Sequence, residues 1–149
     1  MAIVRTAGSE IIRSAHFEYV AANTNAIDLI VGVQHHIYTV LSIICFAKGT
    51  SDGLEMQVSG YDSVEGTSAQ GIVFASVGVT QVGNTFVWND KFSFNGHEPT
   101  DFSGAMDDAT KQDAIADQGS SVLQKLVVSK IHNNDQWEIT VTYIDQNNA

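Results

Sequence analysis

The side chains able to ligate a metal or attack a substrate are five histidines (His16, His35, His36, His97 and His132), one cysteine (Cys45) and 17 carboxylates. His35 and His36 are adjacent, and neighbours along a strand point to opposite faces, so the two can meet one metal ion only across a bend. A turn or strand edge suits them better. His97-Glu98, beside the sole proline Pro99, makes a polar pair with no second histidine close in sequence and reads as a solvated loop. Cys45 lies in the apolar run from Leu41 to Ala47; a lone cysteine cannot form an intrachain disulfide and there packs as a small hydrophobe.

Asp101, Asp107, Asp108, Asp113 and Asp117 crowd one stretch. Their oxygens suit calcium, yet the spacing is not that of an EF-hand loop and its central glycine is missing, so a solvated surface or a helix N-terminus is the favoured reading. The chain contains no Gly-x-Ser-x-Gly elbow, phosphate-cradling glycine loop, dinucleotide fingerprint or His-Glu-x-x-His pair. The expectation is therefore no catalysis, no cofactor and no resident metal, with an active site assembled from distant residues as the remaining enzymatic alternative. Phe86, Trp88, Phe92 and Phe94 alternate and share one face. Turned inward they fill a core; turned outward they form a platform for stacking sugars or a subunit contact.

The elements that would position these residues are strands. Period-two alternation and β-branched runs dominate, and 3.6-residue periodicity is nearly absent. An extended Ala2–Val4 precedes a strand within Ser9–Val20; Ile27–Val33 and His36–Ala47 follow the polar turn Ala22-Asn23-Thr24-Asn25 and form the expected centre of the core. Leu54–Val58 alternates strictly after the turn Lys48–Gly53. Ile72–Val79 and Phe86–Phe94 flank Gln81-Val82-Gly83-Asn84, and Asn95–Ser103 reads as irregular. Ala105–Gln118 fits either one short helix or a long surface loop, because its apolar face is thin. Val122–Ile131 and Trp137–Ile144, joined by a turn at 132–136, read as a closing hairpin. About eight strands without intervening helices predict an all-β fold, an antiparallel two-sheet sandwich of jelly-roll type, with a closed barrel as the alternative.

One domain follows from 149 residues, divided as a possible N-terminal arm over 1–13 and a sandwich over 14–149. With 44% hydrophobic and 16% charged residues the chain is neither disordered nor membrane-spanning. The net charge of -10 argues against nucleic-acid binding, and residues 50–120 carry nine of those ten negative charges. Met1–Arg13 is the one locally basic stretch, with Ile3, Val4, Arg5, Ile11 and Arg13 as candidate contacts to a partner. The opening Met-Ala-Ile-Val-Arg lacks the pattern of a secretory leader, so synthesis in the cytoplasm is expected.

Asn23–Val31 followed by His36–Ile44, and the ending Trp137–Asp145, resemble the early strand pair and the closing strand of small phage virion proteins of the head decoration, or cement, type. The resemblance covers about half the chain. It implies a β-sandwich that binds the major capsid protein on the outside of a phage head, commonly as a homotrimer, with no catalytic residue. The rival readings are a tail or host-surface module that binds glycans through exposed aromatics, and an enzyme with an unrecognised site. Because Ile37–Phe46 is apolar at both parities, that strand should be covered on both faces, the second by an arm or a neighbouring subunit.

Overall fold

The computed structural model describes residues 8–20, 26–49, 51–62, 69–99, 121–131 and 135–148. In chain order the strands are β1 (Glu10–Val20), β2 (Ala26–Val31), β3 (His36–Ala47), β4 (Leu54–Asp62), β5 (Ala69–Val77), β6 (Thr85–Trp88), β7 (Phe92–Asn95), β8 (His97–Pro99), β9 (Ser121–Leu123), β10 (Lys125–Ser129) and β11 (Gln136–Asn147). The first sheet has the order β1-β11-β3-β6, with β7 also on β3. The second has the order β2-β10-β4-β5, and β8 pairs with β9 apart from both. All pairings are antiparallel.

The pairs are nested: β4 with β5, β3 with β6 and β7, β2 with β10, and β1 with β11. A long ribbon of this kind, rolled so that β3 meets β11 and β4 meets β10, gives the antiparallel two-sheet sandwich that the sequence predicts. Alternation supplies the inner faces. Leu54, Met56 and Val58 of β4, Leu126 and Val128 of β10, and Trp137, Ile139 and Val141 of β11 are buried. Each large side chain so buried contributes roughly 1.5–3 kcal/mol.

β3 runs through the middle of the first sheet and contains a bulge. Thr142 pairs with Ser42 and Tyr143 with Val40, which leaves Leu41 as the extra residue. Since side chains alternate with period two, one inserted residue restores the inward direction, so Tyr38, Val40, Ile43, Cys45 and Ala47 are all buried. This parity switch is one reason why the strand reads as apolar on both faces.

The sandwich is closed at one end by a backbone seam. Gly32 N–H donates to the Gln124 carbonyl (2.8 Å), Gln124 N–H to the Gly96 carbonyl (3.0 Å) and Gly96 N–H to the His36 carbonyl (2.8 Å). A Cβ on Gly32 would stand 2.2 Å from the Gly96 oxygen, and one on Gly96 would stand 1.9 Å from the Val33 oxygen. Only glycine allows the two corners to approach this closely.

Several sequence expectations change. The closing hairpin is not formed: β10 pairs with β2 and β4, β11 pairs with β1 and β3, and the turn between them carries the chain from one sheet to the other. Val122–Ile131 is two strands broken at Gln124, and Phe86–Phe94 is two strands broken at 89–91. Within Asn95–Ser103, residues 97–99 form β8. β2 is an edge strand, so the centre of the core falls to β3, β11, β10 and β4. The arm boundary at residue 13 falls inside β1, where residues 10–13 are paired with β11. Ala2–Val4, the helix-or-loop segment Ala105–Gln118 and the Asp101–Asp117 cluster lie outside the described residues.

Candidate functional site

The alternating aromatics turn inward. β6 lies along Ile43–Phe46 and β7 along Ile37–Val40, so the two continue one another along the same margin of β3. Between them the Trp88 Nε1 donates to the Asp90 carbonyl (2.8 Å). Phe94 is buried and stacks on Tyr38 at 5.3 Å, while Phe86, Trp88 and Phe92 are half-buried against the core. A fifth ring joins them from the opposite sheet. In the β4–β5 register Met56 pairs with Ala75 and Gln57 with Val73, so Phe74 is a bulge residue. Its ring meets Trp88 edge-on at 5.2 Å and Phe92 at 4.7 Å. Val58, Ile72, Phe74, Trp88 and Phe92 line an apolar cleft of about 210 Å³. It opens on the flank where β5 faces β6 and β7, so these rings form a recessed cleft in place of a flat platform.

The outer face of the first sheet carries apolar side chains among polar ones, Ser14, His16, Glu18, Thr39, Ser42, Glu138, Thr140 and Thr142. Strand parity places Ile12 on it from β1, Ile144 from β11, Ile37, Leu41, Ile44 and Phe46 from β3, and Val87 from β6. Ile12 is 70% exposed, Val87 53% and Ile44 38%. Register aligns His16, Thr140, Ile44 and Val87 in one cross-strand row. Of the sequence-predicted contacts, Ile11 is half-buried and Arg13 shares the parity of Ala15 and Phe17, which pack on the core. Arg13 Nε lies 3.8 Å from Asp145 Oδ2. Ile12, at 70% exposure, is the apolar side chain turned outward among the described residues of that segment. Ile3, Val4 and Arg5 are outside the described residues.

Among the described residues, two polar clusters hold groups of the kind that do chemistry. His36 Nδ1 lies 2.7 Å from Asp145 Oδ1, and its ring stacks on Tyr38 at 6.1 Å. Val33 N–H donates to the Tyr38 hydroxyl (3.1 Å), and burial, helped by the Asp145 charge, pushes that phenol up to about 12. His35 takes a left-handed φ of 64° at the turn before β3, as its place at a turn implied, and burial followed by the charge of His35 lowers the His97 pKa. An imidazole held by a carboxylate has the form of a general base. Here it clasps the start of β3 to the end of β11.

The second cluster escaped sequence reasoning because its members lie far apart in the chain. His16 and Glu18 occupy one face of β1, and Glu138 is the direct cross-strand partner of Glu18. Their ligating atoms fall within 4.8 Å of one another. His16 Nδ1 lies 2.8 Å from the Thr140 hydroxyl. Facing carboxylates repel, and Lys48 Nζ relieves them at 3.3 Å from Glu18 and 3.1 Å from Glu138. The hydrogen bond from Lys48 is the main cause that lowers the Glu18 pKa. The ammonium thus fills the cation's place. The parity of His16 and Glu18 was the only signal available in the sequence. Cys45 is buried, with its thiol pushed up to about 12 by desolvation, as its apolar run implied.

No protein-family model matches this sequence. No curated protein matches it either. Among solved structures it is similar to a chain described under "Bacillus endospore appendages form a novel family of disulfide-linked pili", with 11% sequence identity, a TM-score of 0.44 and coverage of 100% of both chains.

Proposed function

We propose that this chain is a structural, non-catalytic subunit that packs in many copies on a protein lattice, and specifically a decoration protein on the outside of a phage head whose partner is the major capsid protein. The observation that carries this reading is the outer face of the first sheet. Ile12, Ile44 and Val87 stand exposed there, with Ile37, Leu41, Phe46 and Ile144 half-buried around them. An apolar patch built on hydrogen-bonded strands is rigid, so it loses little conformational freedom when a partner covers it. The strand resemblance to phage cement proteins supplies the class of partner. Burial of Phe94 and the packing of Phe86, Trp88 and Phe92 against the core count against the glycan-platform alternative, which needs those four rings in an open row.

Quantitative mass spectrometry of purified particles, with heads and tails separated, tests the assignment. The reading expects this chain on heads at a copy number in fixed ratio to the capsid protein. A few copies confined to tails, or none on particles, would overturn it.

A further inference from the structure

A two-sheet sandwich has four margins that can pair with another strand, and they are protected unequally. β1 carries Glu10, Arg13, His16 and Glu18 along its length. β2 is six residues long, with Asp28 ion-paired to Lys125 at 3.0 Å. β6 and β7 are four residues each, with a break between them. β5 is different. Its nine residues, Ala-Gln-Gly-Ile-Val-Phe-Ala-Ser-Val, include no charge and no proline. Ile72 is 53% exposed and Val73 47%, and among the described residues β5 pairs with β4 alone. Its bulge at Phe74 turns that ring into the cleft and so places an apolar recess beside a line of backbone donors and acceptors that no other described strand pairs. An extended segment that offers a β-branched side chain matches both features at once: main-chain hydrogen bonds along the edge and an apolar group for the recess.

Residues 1–7, Met-Ala-Ile-Val-Arg-Thr-Ala, have that chemistry. Ile3 and Val4 are adjacent and β-branched, so in an extended chain one faces the recess while the other faces away. The segment has no acid and carries Arg5, in a protein of net charge -10. At about 3.3 Å per residue it spans roughly 23 Å, against roughly 30 Å for β5. Its departure point decides which copy it reaches. Gly8 N–H donates to the Asn147 carbonyl, so the chain enters from the β1–β11 margin, whereas β5 lies at the opposite flank and in the other sheet. Three strand spacings (about 14 Å) and a sheet separation of about 10 Å, filled by the sandwich itself, stand between them. We propose that residues 1–7 of one copy add to the β5 edge of the next, with Ile3 or Val4 in the cleft of Val58, Ile72, Phe74, Trp88 and Phe92. Each copy donates one segment and accepts one, a head-to-tail contact that closes into a ring when the rotation allows, as in a trimer. The proposal does not depend on the capsid reading, since self-association in solution can be present or absent whatever the chain does on a head.

The full chain is measured by native mass spectrometry and light scattering beside Ile3→Asp/Val4→Asp, which spoils the donor, and Val73→Lys, which places a charge on the acceptor edge; far-UV circular dichroism checks that each is folded. The expected result is an oligomer for the natural chain and association weakened by at least about tenfold in affinity for either variant. A natural chain that stays monomeric at its highest soluble concentration, or an oligomer untouched by both changes, overturns the proposal. A third variant, Val4→Cys/Ser76→Cys, is oxidised and run on a non-reducing gel; the buried Cys45 thiol stays out of the reaction. Covalent multimers are expected. A cross-linked monomer places the segment on its own subunit and contradicts the proposal, as does the absence of any cross-link in a chain that oligomerises.

Discussion

Gln124 is fully buried at the seam, and within the described residues neither polar atom of its side chain meets a hydrogen-bond partner. An unsatisfied buried amide costs about 1–3 kcal/mol, so Gln124→Met, which keeps the length and removes the polar atoms, is expected to raise stability by about that amount in urea titrations, with an unchanged denaturant slope. Tyr38 sets a pH dependence. Its phenol rises from 10.0 to about 12 in the fold, chiefly through burial and then through Asp145. The unfolded chain therefore releases that proton first: the stabilisation is intact below pH 10 and is lost as pH rises towards 12, by about 3 kcal/mol over the window. Cys45, raised from 9.0 to about 12, acts in the same direction. Thermal melts between pH 9 and 12 should fall steeply for the natural chain and less steeply for Tyr38→Phe, which also loses the acceptor for Val33 N–H. The burial of Cys45 was legible from the apolar run around it. The Tyr38 and Asp145 contact was not, because it depends on β3 and β11 being neighbours although they are far apart in sequence.

At the scale of elements, alternation identified most strands and misjudged their partners. Trp137–Ile144 was recognised as a strand from Trp137, Ile139, Val141 and Tyr143, yet its supposed hairpin partner belongs to the other sheet. Local pattern records which side of a strand is apolar; it does not record which sheet buries that side, and in a rolled ribbon successive strands often change sheets. Bulges are hidden for a related reason. The extra residues at Leu41 and Phe74 each shift the parity by one, so β3 reads as two-faced and the cleft ring from β5 goes unnoticed. The glycines of the seam are equally silent in sequence, where Gly32 falls inside the strand Ile27–Val33 and Gly96 inside the irregular stretch Asn95–Ser103. Gly96→Ala is expected to cost at least about 3 kcal/mol, since its methyl group would meet backbone that has no side chain to swing away, and soluble expression with denaturant unfolding measures it. Gly83→Ala serves as the control for a left-handed glycine with open space around it, and should cost less.

The whole molecule is a two-sheet body with two contrasting surfaces: the outer face of the first sheet, where apolar Ile12, Ile44 and Val87 share the sheet with the His16, Glu18, Glu138 and Lys48 cluster, and an apolar cleft beside the uncharged β5 edge. The fold class was legible because strand alternation and the scarcity of helical periodicity leave few architectures. The candidate surfaces were legible only as apolar segments. Ile11 and Arg13 stood out by composition, but parity turns them towards the sandwich and presents Ile12. The proposed docking of the outer face of the first sheet on a capsid lattice is measured by titrating purified, undecorated heads with this chain and with Ile44→Asp/Val87→Asp. Both residues lie outside the core, so the variant should keep the natural circular dichroism spectrum and melting behaviour within about 1 kcal/mol. The natural chain should cosediment with heads to a saturating ratio, and the variant should bind at least about tenfold more weakly, the loss expected when charge is buried without a partner. A natural chain that leaves heads bare at saturating concentration, or a folded variant that binds as tightly as the natural chain, would contradict the claim.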